Sequence, residues 1–115
     1  MIGIAVLGST GSVGRSTLEV LALQRERFQV VALAARSNAE RLFEQVCRFE
    51  PEWAALESPE AARTLEQRLR AAGGRTRVLA GAAAIEQLGC ESQVQYVMAA
   101  ISGAAVVAPF SKAWR

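Results

Sequence analysis

Three glycines recur at even spacing near the start of the chain, in the segment Gly8-Ser9-Thr10-Gly11-Ser12-Val13-Gly14. The segment follows an apolar run and precedes an amphipathic stretch, which predicts a buried strand turning into a helix. Backbone N–H groups at a helix start are unpaired and lie at the positive end of the helix dipole, where phosphate binds. Glycine lets the backbone come close to that phosphate, and the hydroxyls of the segment add uncharged donors. These donors are Ser9, Thr10 and Ser12.

The spacing of this glycine-rich turn is Gly-x-x-Gly-x-x-Gly, one residue longer than in the commoner dinucleotide-binding turn. It is not a Walker A loop, because no Lys-Ser or Lys-Thr pair follows Gly14. In the alternative interpretation, Gly8, Gly11 and Gly14 only permit a tight turn and close helix packing. Their position after the first strand of an alternating pattern favours a nucleotide pyrophosphate site.

The end of the second predicted strand indicates which dinucleotide the site takes. NAD-binding domains place an acid there, about 20 residues past the glycines, against the ribose hydroxyls. No acid occurs from Phe28 to Ala39, and Arg36, Ser37 and Asn38 stand at the expected place. A guanidinium with a hydroxyl and an amide suits the 2′-phosphate of NADPH, which we expect over NADH. Alternatively, Arg36 is a solvated charge and the next two residues are helix caps.

A further candidate contact is the end of the last predicted strand, at Ala100 and Ile101, which would reach the crevice where such ligands bind. Small apolar residues there could pack on the nicotinamide and its ribose. Ordinary core packing explains them equally well.

The residue types that are missing exclude several kinds of chemistry. The chain has no His and no Asp, since all 11 acids are Glu. A Ser-His-Asp triad, a Cys-His pair and a His-ligated zinc site are therefore impossible within it. We predict no catalytic residue and no metal ligand in these 115 residues.

Composition predicts one soluble globular domain, with 51% hydrophobic and 21% charged residues over 115 positions. A net charge of +2 is too small to indicate nucleic acid or a membrane surface as a partner. Cys47 and Cys90 lack metal spacing and are expected to be buried thiols in a reducing compartment. With no signal-peptide pattern at the start, the expected location is the cytoplasm.

Apolar runs alternate with amphipathic stretches along the chain, which is typical of βαβ units on a parallel sheet. We therefore predict an α/β fold: a Rossmann-like, doubly wound, mostly parallel sheet with five strands and about five helices. The first helix is expected to bury Val13, Thr17, Val20 and Leu21, and Ser37 with Glu40 to form a capping box for the second. The strands are predicted at Ile2–Leu7, Phe28–Ala35, Trp53–Leu56, Val78–Ala80 and Val94–Ile101, and the later helices at Pro59–Ala72 and Ala82–Leu88.

The last part of the chain is predicted to be incomplete. The segment from Ser102 to Pro109 could begin another helix, with no strand after it to complete the unit. We therefore divide the chain into a Rossmann-like NADPH-binding domain, residues 1–105, and a divergent tail, residues 106–115.

Together these segments resemble the amino-terminal part of the 1-deoxy-D-xylulose-5-phosphate reductoisomerases. The resemblance is carried by Leu7–Gly14, Ser16–Leu18, Val30–Leu33, Val97–Ile101 and Gly103–Ala105. It implies an NADPH-dependent enzyme of isoprenoid precursor biosynthesis. That enzyme isomerises and reduces 1-deoxy-D-xylulose 5-phosphate to 2-C-methyl-D-erythritol 4-phosphate, with Mg or Mn as the divalent metal.

The resemblance also implies roles for individual residues. Thr10, Gly11, Ser12 and Val13 would hold the pyrophosphate, and Arg36, Ser37 and Asn38 the adenosine phosphate. The family commonly has Gly-Lys-Asn or a Gly-Arg-Asn-like variant at the latter place, so the lysine's role would pass to Arg36 and Ser37 would be a weaker contact.

The same resemblance places several features of the family outside this chain. The metal-binding carboxylates, the catalytic segment and the contacts of the family homodimer would lie beyond Arg115, so the chain looks truncated and inactive alone. Two other functions remain open from the sequence. One is another NADP-linked dehydrogenase domain, of the semialdehyde dehydrogenase type, and the other is a non-enzymatic nucleotide-binding module.

Overall fold

The computed structural model describes residues 2–88, 94–101 and 104–109. Strands and helices alternate until the last two strands, which follow one another directly. The strands are β1 (Ile2–Leu7), β2 (Phe28–Ala35), β3 (Trp53–Leu56), β4 (Arg77–Ala80), β5 (Tyr96–Ile101) and β6 (Ala104–Pro109). The helices are α1 (Ser12–Ala22), α2 (Ala39–Phe49), α3 (Pro59–Ala72) and α4 (Ala82–Leu88).

The six strands form one sheet in the order β4-β3-β2-β1-β5-β6. Strands β1 to β5 run parallel, and β6 runs antiparallel to β5. The strand order reverses between β1 and β5, where Leu7 pairs with Ala99. A reversal of this kind opens a crevice at the carboxyl ends of the strands, the usual ligand position in such sheets.

Both faces of the sheet are covered by helices, which confirms the predicted doubly wound α/β class. On one face, α1, α2 and α3 bury a leucine-rich core that includes Leu18, Leu42 and Leu65. On the other face, Leu88 of α4 packs over alanines and valines of the central strands. Strands buried on both sides need continuous apolar sequences, and β1 and β2 have them.

The first helix buries only part of the face predicted for it: Leu21 is buried as expected, and Val13 and Thr17 are half-buried. Its buried residues are Gly14, Leu18 and Leu21, and Val20 is 57% exposed. The expectation that Val20 is buried is therefore wrong. The prediction rests on apolar side chains, whereas Gly14, which has none, is buried against the backbone of Gly8 and Ser9.

The ends of α2 and α3 are set by side chains. Asn38, not Ser37, is the N-cap of α2, since its side chain accepts a hydrogen bond from Arg41 N–H at 3.1 Å. The predicted capping box of Ser37 with Glu40 is therefore wrong, because the cap lies one residue later and the third helical residue is then Arg41. In α3 the prediction is confirmed: Ser58 is the cap and Pro59 the first residue.

Two further expectations are wrong. The segment from Ala104 to Pro109 is strand β6 rather than the start of a helix, because it pairs along its whole length with β5. The strand crosses the predicted domain boundary after Ala105, and that boundary itself stays a prediction. Cys47 is exposed rather than buried, on the outer side of α2, and Cys90 lies outside the described residues.

Among the helices that the structure describes, none has the length and apolar character needed to cross a bilayer.

Candidate functional site

The glycine-rich turn begins where β1 ends. Gly8 has a φ of 79°, in the left-handed region that favours glycine. The N–H groups of Gly8 and Ser9 both donate to the Ala34 carbonyl oxygen, at 2.7 and 3.0 Å. The turn is therefore fixed to the neighbouring strand β2 before α1 starts.

Gly14 lets α1 pack directly on this turn. A Cβ at Gly14 would lie 2.2 Å from the Gly8 oxygen and 2.7 Å from Ser9 Cα, both of them backbone atoms. No side chain can be accommodated at such distances without moving the helix. The third glycine is thus required by the fold itself.

Gly11 stands in a different environment, although it belongs to the same motif. Its φ of −75° and ψ of 170° are allowed for any residue. A Cβ added there would meet only the Gly8 oxygen, at an ordinary 3.6 Å. Packing within the described chain therefore does not require glycine at this exposed position, and the missing Cβ leaves room for a ligand to approach the backbone.

The first turn of α1 leaves hydrogen-bond donors free. Gly11 caps the helix without a side-chain hydrogen bond, and the first turn has no acidic residue. The first helical bond runs from Arg15 N–H to the Gly11 oxygen at 2.9 Å, and within the described ranges the N–H groups of Ser12, Val13 and Gly14 have no acceptor. Unpaired donors at the positive end of a helix dipole attract an anion.

The hydroxyl-bearing residues of the turn differ in exposure. Ser12 is exposed and Thr10 half-buried, so both are open to a ligand. Ser9 is fully buried, and its hydroxyl has no hydrogen-bond partner among the described residues. The prediction that Ser9 offers its hydroxyl to a phosphate is therefore wrong.

Arg36, Ser37 and Asn38 are all exposed and follow directly after β2, the strand whose Ala34 anchors the glycine-rich turn. The structure therefore brings the two predicted phosphate-binding segments to one edge of the sheet. The Asn38 side-chain oxygen is engaged in capping α2, while its amide group can still donate.

The third predicted segment reaches the same edge. Because Leu7 pairs with Ala99, Ala100 and Ile101 extend β5 beyond the end of β1, towards the glycine-rich turn. All three predicted segments thus follow or end the neighbouring strands β2, β1 and β5 at one edge of the sheet.

A groove of about 220 Å³ between α1 and α2 was not expected from the sequence. Arg48 of α2 forms an ion pair across it with Glu19 of α1 and, mainly through that hydrogen bond, holds the pKa of the Glu19 carboxyl below its usual value. The groove is lined by Gln45 and by three arginines, Arg15, Arg41 and Arg48. Gln45 is a buried amide in the otherwise apolar stripe of α2. The sequence does contain one indication of Gln45, because it is a polar residue at a position where the helical pattern of α2 expects an apolar one.

No group of three or more His, Cys or Glu side chains suited to a metal ion occurs in the part of the chain that the structure describes. The donors of the site are neutral or cationic: backbone N–H groups, the hydroxyls of Thr10, Ser12 and Ser37, an amide and a guanidinium. Such a set binds phosphate groups.

Comparison with known proteins identifies the family. The family model for 1-deoxy-D-xylulose 5-phosphate reductoisomerase matches residues 4–115. The chain belongs to this family. Membership decides between the two enzyme families considered from the sequence.

Curated reductoisomerases are similar over almost the whole chain. The reductoisomerase of Methylococcus capsulatus is 53% identical over 110 residues, which are 95% of this chain and 28% of that protein. The one of Nitrosomonas europaea is 47% identical over 106 residues, 92% of this chain and 26% of the relative. The chain thus spans little more than a quarter of the length of these relatives.

Solved reductoisomerase structures share the fold. One, in complex with NADPH, fosmidomycin and magnesium, aligns with a TM-score of 0.80 and 29% identity over 84% of this chain and 24% of its own. The Zymomonas mobilis reductoisomerase in complex with NADPH aligns with a TM-score of 0.79 and 33% identity, covering 87% of this chain and 26% of that one. The Rossmann-like sheet is therefore shared with reductoisomerase structures that contain the cofactor.

Proposed function

We propose that this chain is the NADPH-binding part of a 1-deoxy-D-xylulose 5-phosphate reductoisomerase. The observation that carries the proposal is the open start of α1, where Gly11 has no side chain and three N–H groups have no acceptor among the described residues. A pyrophosphate supplies the acceptor oxygens and the negative charge that this turn lacks. Complexes of related reductoisomerases with NADPH support the assignment.

Different residues are proposed to bind different parts of the cofactor. Thr10, Gly11, Ser12 and Val13 bind the pyrophosphate, and Gly8 and Gly14 give the turn its shape. Arg36, Ser37 and the Asn38 amide bind the 2′-phosphate, where a guanidinium offers charge-assisted hydrogen bonds. Ala100 and Ile101 lie beside the nicotinamide end.

When bound, NADPH supplies the hydride for the reduction. The residues of this chain hold and orient it, and none of them is assigned a catalytic or metal-binding role. The isomerisation, the sugar-phosphate substrate and the Mg or Mn ion belong to the longer protein, consistent with related complexes that contain magnesium.

The remaining parts of the proposal concern the whole protein. We assign the family homodimer to contacts outside residues 1–115, and the protein to the cytoplasm, where an exposed free thiol such as Cys47 stays reduced.

Calorimetric titration of the chain with NADPH and with NADH tests the function. We expect NADPH to bind in the micromolar range or weaker, and about tenfold or more tightly than NADH, because hydrogen bonds to a charged group contribute about 1.5–3 kcal/mol. Arg36→Ala should reduce this preference and leave NADH binding unchanged. The control is Arg63→Ala, at an exposed position of α3. Equal affinity for both dinucleotides, or no binding of either, would contradict the proposal.

A further inference from the structure

Gln45 is a buried amide on the core-facing side of α2. It is 9% exposed and stands next to Val46 and one turn after Leu42, two residues of the apolar core. Its Nε2 donates to the Ser9 carbonyl oxygen at 2.8 Å. A carbonyl oxygen can only accept, so this contact fixes which end of the amide faces the turn.

The burial of Gln45 has a cost that packing does not explain. Its Oε1 is also buried and has no hydrogen-bond partner among the described residues. An unpartnered buried acceptor costs about 1–3 kcal/mol, and an apolar side chain of the same length would avoid that cost. The contribution of Gln45 is therefore its single hydrogen bond to the glycine-rich turn.

With this hydrogen bond, three elements of the fold hold the backbone of Ser9 in place. Its N–H is bound by Ala34 of β2, at 3.0 Å, and Gly14 of α1 lies against its Cα. Gln45 of α2 holds the carbonyl oxygen. With both its N–H and its C=O bound, Ser9 cannot rotate about its backbone without breaking a hydrogen bond.

Fixing the Ser9 oxygen also orients the next N–H group. The peptide unit between Ser9 and Thr10 is planar and trans, so its C=O and N–H point in opposite directions. Because the oxygen points to α2, the Thr10 N–H points away from α2. Thr10 is the first of the four residues proposed to bind pyrophosphate.

We propose that Gln45 is a positioning residue for the cofactor, which holds the Ser9–Thr10 peptide in the orientation that pyrophosphate binding needs. The proposal rests on the proposed function for its ligand. It also makes α2 a common support for both phosphate-binding segments, since Asn38 caps its first turn and Gln45 lies seven residues later, about 10 Å along the helix.

The first test is amide hydrogen exchange in the ligand-free chain. Gln45→Met keeps the length of the side chain and removes its N–H donor. We expect the amides of Gly8 and Ser9, which donate to Ala34, to exchange at least about tenfold faster, while those of β3 are unchanged. Gln67→Met, at an exposed position of α3, is the matched control.

The second test separates positioning from general loss of structure. Gln45→Met should weaken NADPH binding about tenfold and leave binding of adenosine 2′-phosphate, which has no pyrophosphate, within about twofold; a tenfold change corresponds to about 1.4 kcal/mol, the upper range for one hydrogen bond. An equal loss for both ligands, or unchanged exchange in the turn, would overturn the proposal.

A second variant covers the case in which Gln45→Met does not fold. Gln45→Glu has the same shape and places a carboxylate against the Ser9 oxygen, so the turn amides should again exchange faster. If the unmodified chain binds no NADPH, the proposed function fails, whereas the exchange measurements still decide whether Gln45 holds the turn. Slow exchange in both variants would refute that role.

Discussion

Helices α1 and α3 both begin at the carboxyl edge of the sheet, directly after a parallel strand, and their first turns are built differently. In α3, the Ser58 hydroxyl accepts from Ala61 N–H at 3.3 Å, Pro59 removes one donor and Glu60 places an acid near the positive dipole end. In α1, the cap is Gly11, with no side-chain hydrogen bond and no acid. The chain completes α3 with its own side chains, and it leaves in α1 the donors that an anionic ligand can use.

Gly14→Ala should have the largest effect, because it removes the packing on which the open turn depends. The new Cβ would stand 2.2 Å from the Gly8 oxygen, so α1 must move away from the glycine-rich turn. We expect the free energy of unfolding to fall by about 3 kcal/mol, the upper range for overpacking, together with loss of NADPH binding. Urea denaturation measures the first, with Gly11→Ala as the control, which replaces the N-cap glycine without a clash and should cost no more than about 1 kcal/mol.

Gly11→Asp would give α1 the kind of cap that α3 has. The carboxylate should accept from the free N–H groups and stabilise the unliganded chain by a few tenths of a kcal/mol. NADPH affinity should fall by about a hundredfold, because one negative charge now faces another. Calorimetry and urea denaturation measure the two effects in the same variant.

Gly11→Asn is the control that separates the effect of charge from the effect of side-chain size at this position. Asparagine caps a helix without a negative charge, so it should weaken NADPH binding less than Gly11→Asp does. Tight NADPH binding by Gly11→Asp would show that the start of α1 is not the pyrophosphate site.

Ser58→Ala makes the converse change, since it removes the cap of α3. The Ala61 N–H loses its acceptor, and we expect a loss of about 1 kcal/mol in the free energy of unfolding. NADPH affinity should change little, because the start of α3 is joined to Arg36 by the Ser58 backbone N–H, which donates to the Arg36 oxygen at 2.9 Å and is kept in this variant. A loss of affinity comparable to that of Gly11→Asp would remove the distinction between the two helix starts.

Glu19→Gln should have the smallest effect, since it breaks a solvent-exposed ion pair between α1 and α2. Arg48 lowers the pKa of Glu19 in the folded chain, so the stabilisation is complete above the ordinary carboxyl pKa of 4.5 and is lost as the pH falls through the lowered value. The variant should therefore unfold slightly more easily at pH 7 and like the unmodified chain at pH 2. A difference that persists at pH 2 would contradict this origin, and Glu26→Gln is an exposed control.

The parallel strands could be predicted from the sequence, because buried parallel strands need long apolar runs. The meeting of the three candidate segments at one edge of the sheet could be predicted as well, since parallel strands all end at the same edge. The separate roles of Gly11 and Gly14 could not. Both are glycines in one motif, and only the position of the Gly8 oxygen shows that one is required by packing and the other is not.

The predictions that are wrong depend on tertiary contacts, which a local sequence pattern does not contain. The segment at Ala104 pairs with β5 as a strand, although small residues after Gly103 also suit a helix. Gln45 was missed because periodicity treats a polar residue in an apolar stripe as an interruption. Its partner, Ser9, is 36 positions away in the sequence.

The position of β1 in the sheet has a consequence for biosynthesis. Strands β2, β3 and β4 can join β1 one after another as the chain leaves the ribosome, since each pairs with the strand made just before it. The edge of β1 that does not face β2 stays unpaired until β5 has been synthesised, and β5 ends at Ile101. The crevice is therefore formed late during translation. A nascent chain that does not yet include β5 has the glycine-rich turn but lacks the strand on the other side of the crevice.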